Sequence, residues 1–228
     1  MIIVVVCMTI ALYAIAKIGY KKLPLPIFHP LLLSPILIIA VIIIFHVSAN
    51  QYLIQAQPLT HMLGPATVAF AIPIYKHLAV VKKYIGIIVT SITIGSLVAI
   101  FSSLLLALMV HLNNNFLVSV LPRSVTTPIA MEVSKDIGGI PTLTTVFVIL
   151  TGIIGGIIGP SVINGLSIKS PVAKGLALGM SAHGVGTNKA MEYGEQAATF
   201  STLAMIFAAS ITMVWGKVLI PFIITYLG

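Results

Sequence analysis

Long apolar runs separated by short polar segments form the main pattern along the chain. A helix needs ~20 mainly apolar residues to cross a hydrocarbon core about 30 Å thick, and five runs meet or approach that length. They lie at about 2–18, 31–47, 84–110, 141–165 and 198–216, the last continuing past Lys217 to Tyr226. A sixth run, 59–75, contains Pro65 and Pro73 and is expected to be kinked or unwound. The pattern predicts an all-α integral membrane protein with about six transmembrane helices.

Two further stretches, about 112–138 and 170–195, have the pattern of a short apolar helix, a break and a second short helix. The breaks lie at 121–128 and 181–189. Ten helical residues rise ~15 Å, half of the hydrocarbon thickness, so each half-helix extends only to the midplane. The stretches are either broken helices that cross fully or re-entrant hairpins that return to the side they entered.

The distribution of lysines favours the hairpins. Lys17, Lys21 and Lys22 follow the first run, and residues 76, 82 and 83 are also lysines, whereas 46–57 and 111–115 contain no Lys, Arg, Asp or Glu. The positive-inside rule places the lysine clusters in the cytoplasm and the charge-free segments outside. Hairpins that enter from opposite faces also leave Lys169 and Lys174 in the cytoplasm, whereas full crossings would put them outside.

The composition supports a membrane location and excludes other classes of protein. Hydrophobic residues make up 59% of the chain, charged residues make up 7%, and the mean hydropathy is +1.16. Too little polar surface remains for a soluble enzyme or a nucleic-acid-binding module, so the net charge of +8 does not indicate nucleic acid. We expect a cell-membrane protein with one membrane transport domain over 1–228, in which 1–83 form N-terminal helices and 84–228 form the core.

The motifs of known catalytic and metal sites are missing from the sequence. Cys7 lies in the first apolar run, and no pair of histidines has metal-ligand spacing. Nucleotide-binding and nucleophile motifs are also missing. We therefore expect no enzyme activity, catalytic residue, metal site or cofactor.

A short repeat coincides with the two breaks. Five of the eight residues at 125–132 recur at an offset of 60, at 185–192. They are Val125, Thr127, Ala130, Met131 and Glu132, which match Val185, Thr187, Ala190, Met191 and Glu192. With hairpins that enter from opposite faces, the copies form inverted repeats, an arrangement that places transporter substrate sites where discontinuous helices meet near the midplane.

The breaks contain the candidate substrate-binding residues. Helix N-termini bind anions through free N–H groups and the helix dipole, and nearby basic side chains add positive charge, so a carboxylate is the natural ligand. The candidates are Arg123, Ser124, Thr126, Thr127, His183, Gly184, Gly186, Thr187, Asn188 and Lys189.

These residues have distinct expected roles. Thr126 or Thr127 can cap one half-helix, with Pro128 at its first position, and Thr187 or Asn188 can cap the other. Gly184 and Gly186 permit tight turns beside His183, which can donate to an anion or simply bond a neighbouring carbonyl. The alternative is that the threonines satisfy only their own backbone and that Arg123 pairs with Glu132.

Glu132 and Glu192 occupy matching positions of the repeat. A carboxylate within a membrane segment is a candidate proton carrier or cation ligand, so both are candidate coupling residues. The equally weighted alternative is a structural salt bridge from Glu132 to Lys135 or Arg123, and from Glu192 to Lys189.

Three motifs resemble a signature of the LrgB/CidB family, and the similarity covers essentially the whole chain. They are LGPATVAFAIPIYK at 63–76, SVTTPIA at 124–130 with DIGGI at 136–140, and KGLALG at 174–179 leading to HGxGT at 183–187. The resemblance implies antiholin-like proteins or regulators of murein hydrolase export that act with a small LrgA/CidA-type membrane partner. Bacterial members and a related plastid glycolate/glycerate translocator imply transport of small carboxylates such as pyruvate or glycolate.

Two functions remain as hypotheses. The favoured one is a secondary transporter of small monocarboxylates, open to proton coupling, that acts with the small LrgA/CidA-type partner. The alternative is a holin/antiholin-like regulator of murein hydrolase export and cell lysis. In both we expect a homo-oligomer in the lipid bilayer and no nucleic-acid partner.

Overall fold

The computed structural model describes residues 2–23, 25, 28–69 and 71–227, and over these ranges the chain is helical without β-strands. It divides into two compact units, Met1–Ile72 and Pro73–Gly228. The all-α class predicted from the apolar runs is confirmed.

The first unit is a small group of helices around α1. Its helices are α1 (Ile2–Lys22), α2 (Pro30–Ile44), α3 (Ala49–Gln55), α4 (Gln57–His61) and α5 (Leu63–Ala69). α1 packs on α2 and α3, and its Thr9 hydroxyl lies 3.0 Å from the Tyr52 hydroxyl. Ala16 is its one buried residue, so the apolar surface of α1 is left for lipid or another protein surface.

The run 59–75 does not form one spanning helix. Its described part is divided among α4, α5 and α6 (Ala71–Lys76), and residue 70 lies outside the described ranges. Prolines lack a backbone N–H and break the helical ladder, which explains short helices around Pro58 and Pro65. The helix α3 was not predicted, although Ser48 begins it in the usual way by accepting a hydrogen bond from Gln51 N at 3.2 Å.

The second unit contains the remaining helices. They are α7 (Leu78–Met109), α8 (Asn114–Val120), α9 (Thr127–Asp136), α10 (Pro141–Gly165), α11 (Pro171–Ala190), α12 (Glu195–Lys217) and α13 (Leu219–Leu227), with a 3-10 turn at Met191–Tyr193. Ile88 and Ile92 of α7, Val148 of α10, and Phe200 and Leu203 of α12 belong to one buried cluster. The core of this unit is therefore built from long helices with apolar faces.

Four described helices are long and apolar enough to cross a membrane. They are Ile2–Lys22, Leu78–Met109, Pro141–Gly165 and Glu195–Lys217. α2 is equally apolar but has only 15 residues. A multi-pass membrane protein is confirmed, with four clear spans where about six were expected.

Candidate functional site

The first candidate stretch folds as a hairpin, here called the first hairpin, made of α8, a tip at 121–126, and α9. Ile140 N, just after α9, donates to Ser119 Oγ near the end of α8 at 2.8 Å. Thr144 Oγ1 of α10 lies 2.9 Å from the Ser119 carbonyl oxygen and 2.7 Å from Ser134 Oγ. These bonds hold both arms against the start of α10.

The second candidate stretch also folds back on itself and is here called the second hairpin, residues 171–193. His183 has φ 38° and ψ −116°, which reverses the chain within what is otherwise helix. After the reversal, Gly186 lies against the Leu178 carbonyl, where a Cβ would have no room. Lys174 Nζ, near the start, lies 4.8 Å from the centroid of the Tyr193 ring near the end.

The strained residue of the second tip is the histidine rather than a glycine. A non-glycine residue with positive φ outside the standard regions costs about 1–3 kcal/mol, and such strain concentrates at ligand-binding and switch positions. His183 is buried, and its Nε2 lies 3.1 Å from the Val148 carbonyl oxygen. Of the two roles considered from the sequence, the structure contains the bond to a neighbouring carbonyl.

The two hairpins approach α7 from opposite ends. Leu117 in the first arm of the first hairpin packs in a cluster with Leu104, near the end of α7, while the tip residue Val125 packs in the cluster that contains Ile92. The first hairpin therefore runs from the C-terminal end of α7 toward its middle.

The second hairpin runs the other way along α7. Leu176, in its first arm, shares a cluster with Val81 at the start of α7. One turn further on, Met180 faces Gly95, with its Cε 3.1 Å from the position that a Cβ there would occupy. This hairpin therefore runs from the N-terminal end of α7 toward its middle.

Both tips converge on the middle of α10. Arg123 of the first tip donates through its Nη1 to Thr151 Oγ1 at 3.2 Å, and His183 of the second tip bonds Val148 one turn away. Gly152 lies against the His183 ring, since a Cβ at this glycine would fall 2.7 Å from the ring Cε1. Gly152, Gly155 and Gly156 of α10 all lie against residues 181–185, so these glycines allow close packing of the second tip on α10.

Arg123 is the central charge of this region. It is half-buried, and its Nε donates to Ser103 Oγ of α7 at 2.7 Å. With Thr151, this makes two neutral hydroxyl partners, and no carboxylate of a described residue lies within ion-pair distance. The expected alternative, a pair with Glu132, is not formed. Within the described ranges, two of the five N–H donors of the guanidinium are thus used, and no carboxylate neutralises its charge.

The threonines of the two breaks differ in environment. Thr126 is the N-cap residue of α9 without a side-chain capping bond, Thr127 is the first helical residue, and both are half-buried beside the buried Ser124. Thr187 does not cap a helix, because the second arm already begins at Gly184. Its hydroxyl donates to the His183 carbonyl at 2.9 Å and lies 3.0 Å from Ser201 Oγ.

The remaining candidates are exposed or paired at the surface. Lys189 pairs with Glu192 at 2.8 Å on the surface, and the Glu192 side chain is 61% exposed. Asn188 and Gly184 are exposed, as is Glu132 on α9. The structure thus contains the structural salt bridge that was the alternative for Glu192. Of the candidates in the second break, His183, Gly186 and Thr187 are the buried ones.

Sequence reasoning missed the residues that hold the tips in place. Ser103 and Thr151 bind Arg123, Ser201 binds Thr187, and Val148 binds His183 through its backbone carbonyl. The sequence signal for Ser103, Thr151 and Ser201 was a polar residue within an apolar run. This signal is not specific, because other serines and threonines in these runs, such as Thr90 and Thr93, bond only the backbone of their own helix. Among the described residues no cluster of potential metal ligands occurs.

These features define a multi-pass α-helical membrane protein with two interior hairpins that meet at one spanning helix. Residues 9–222 match the LrgB-like family, and the chain belongs to that family. The family expected from the three motifs is therefore confirmed.

The chain is similar over nearly its whole length to several bacterial proteins. It is 44% identical to "Uncharacterized protein YwbG" of Bacillus subtilis over 94% of this chain and 96% of the relative. It is 34% identical to "Holin-like protein CidB" of Staphylococcus aureus over 94% of each chain. No solved structure matches the chain significantly. Together with the long apolar helices, these relatives support a location in a bacterial cell membrane.

Proposed function

We propose that the protein is a secondary transporter of small monocarboxylates such as pyruvate or glycolate, which bind where the two hairpin tips meet. The observation that carries this proposal is the environment of Arg123. A cation within a membrane domain is costly unless it is paired, and among the described residues Arg123 has only the hydroxyls of Ser103 and Thr151 as partners. An anionic substrate would supply the missing charge, and a guanidinium binds a carboxylate with two parallel hydrogen bonds.

The arrangement of the hairpins supports transport over simple binding. The hairpins run along α7 from opposite ends, and each carries one copy of the repeat between its tip and the end of its second arm. Ala130 and Ala190 are both fully buried, whereas Glu132 and Glu192 are both exposed. Inverted repeats of this kind allow a site near the midplane to open alternately to either side.

Uptake into proteoliposomes tests this function directly. Purified protein, with and without a small LrgA/CidA-type membrane partner, is expected to accumulate labelled pyruvate or glycolate above the level of empty liposomes. The neutral amide of the same acid should compete poorly, because it lacks the charge that Arg123 would bind. Uptake no greater than in empty liposomes under both conditions would refute the proposal.

A holin-like role is the second candidate, because the relative with 34% identity carries that name. A holin-like assembly would permeabilise the membrane without selecting for carboxylates. Release of an encapsulated neutral dye at the same protein density distinguishes the two functions. A transporter is expected to leave the dye inside, while a holin-like assembly should release it.

Thr127 and Thr187, which occupy matching positions of the repeat, should respond differently to substitution by valine. Thr127 is half-buried at the start of α9, so Thr127→Val should lower carboxylate affinity roughly 10-fold or more, the cost of one lost hydrogen bond to a charged ligand. Thr187→Val should instead destabilise the protein by about 1–3 kcal/mol, because it leaves buried Ser201 without this partner. Ligand titration and thermal unfolding of both variants measure the difference. Equal effects of the two substitutions on carboxylate affinity would contradict this expected difference.

The two glutamates are also expected to differ in their contribution to coupling. Glu192 takes part in an exposed ion pair, which contributes about 0.2–1 kcal/mol, so Glu192→Gln should leave accumulation nearly unchanged. Glu132 has no ion-pair partner among the described residues and is the better candidate for a coupled proton. Glu132→Gln should abolish accumulation against a gradient while exchange of labelled substrate continues. Loss of both activities together, at normal membrane expression, would argue against a coupling role.

A further inference from the structure

A groove on the surface of the second unit lies between α7 and the first arm of the second hairpin. Its volume is about 440 Å³, and one wall is the stripe Tyr84, Ile87, Ser91 and Gly95 of α7. From Tyr84 to Gly95 a helix rises about 16 Å, close to half the thickness of the hydrocarbon core. The groove thus has the length of one bilayer leaflet.

The other wall and the inner end of the groove are apolar. Leu176, Ala177 and Met180 of α11 line the wall, and Met180 also closes the end near Gly95, where its Cε is 3.1 Å from the position of a Cβ. Ala177 is exposed, so its methyl group faces the open side. An acyl chain lying along this groove would contact side chains on both walls.

Lysines adjoin the residues that line the outer end of the groove. Lys83 precedes Tyr84, with its Nζ 5.5 Å from the Tyr84 ring centroid, and Lys169 precedes Ser170 at the same end. Lys82 and Lys174 lie close by in the sequence. Within the described part of the chain, none of these four lysines forms an ion pair with a carboxylate. The nearby Glu192 and Glu195 instead approach Lys189 and His77.

We infer that this groove binds one acyl chain of an anionic phospholipid, whose phosphate lies between Lys83 and Lys169. The positive-inside rule places the lysine end at the cytoplasmic surface, where anionic headgroups attract juxtamembrane lysines. The bound lipid packs against the arm that carries His183 and thereby supports the second hairpin from its outer side. This inference does not depend on the proposed transport function.

Native mass spectrometry of the full chain in detergent tests this site with two lipids that share the same acyl chains. Dioleoyl-phosphatidylglycerol should bind more tightly than dioleoyl-phosphatidylcholine. Lys83→Gln and Lys169→Gln should each lower phosphatidylglycerol affinity about fivefold and leave phosphatidylcholine binding unchanged. Ala177→Trp, at an exposed position that fills the groove, should lower the binding of both lipids.

Lys135→Gln is the matched control, because Lys135 is exposed on α9 and lies near the end of the first hairpin. It should bind both lipids as the unchanged protein does. The inference is overturned if the two lipids bind equally, if Lys83→Gln behaves like Lys135→Gln, or if Ala177→Trp has no effect. Displacement of phosphatidylglycerol by free glycerol phosphate would indicate an anion site without an acyl chain and would also overturn it.

Discussion

Arg123→Gln is expected to lower carboxylate affinity about 30-fold or more. Truncating one partner of a buried, hydrogen-bonded charge pair costs about 2–5 kcal/mol, and 1.4 kcal/mol corresponds to a factor of ten. Arg123 is the single arginine of the chain, and no other basic side chain is placed between the two tips by the described contacts. Isothermal titration or a binding-dependent fluorescence signal with pyruvate and glycolate measures the effect.

Two further variants separate charge from geometry at this position. Arg123→Lys keeps the charge but loses the planar fork, so we expect an affinity between those of the original protein and Arg123→Gln. Ser103→Ala keeps the guanidinium but removes the hydroxyl that holds its Nε, and should weaken binding only several-fold. Binding of the neutral amide should change little in all three variants. Unchanged carboxylate affinity in Arg123→Gln, with normal membrane expression, would place the site elsewhere.

The long spans could be predicted from the sequence because their signal is local. α7, α10 and α12 each contain an apolar run long enough to cross a bilayer, and no tertiary contact is needed to recognise them. The run 59–75 was harder, since prolines within an apolar stretch are compatible with one kinked helix or with several short ones. Hydropathy does not distinguish these two outcomes, and the structure divides the described part of the run among α4, α5 and α6.

The candidate site could be predicted only where its residues act locally. Pro122 and Pro128 flank Arg123 and identify the first break, which the structure places at nearly the same residues. The role of Thr187 could not be predicted, because its partner Ser201 lies on the next helix. Likewise, the second break was expected to extend over several residues around the glycines, whereas the chain reverses at His183 alone.

Gly186→Ala should severely destabilise the second hairpin. The two arms of this hairpin touch where Gly186 meets the Leu178 carbonyl, and an added Cβ would collide with that backbone oxygen and carbon. Backbone cannot rotate away as a side chain can, so we expect a loss of about 3 kcal/mol or more. For a chain of this size the apparent melting temperature should fall by about 10 °C. Thermal unfolding in detergent, followed by size-exclusion chromatography, measures this change.

Gly184→Ala is the matched control, two residues away at the same tip. Gly184 is exposed, and nothing lies within 4 Å of the position that its Cβ would take. Alanine is also favoured over glycine in a helix by about 1 kcal/mol, so this variant should be as stable as the original protein or slightly more stable. Because the added methyl group should displace the second tip, Gly186→Ala should also take up less substrate. Gly184→Ala should take up substrate as the original protein does. If both variants melt at the original temperature, the arms are not in contact at Gly186 and the second stretch is not folded back at His183.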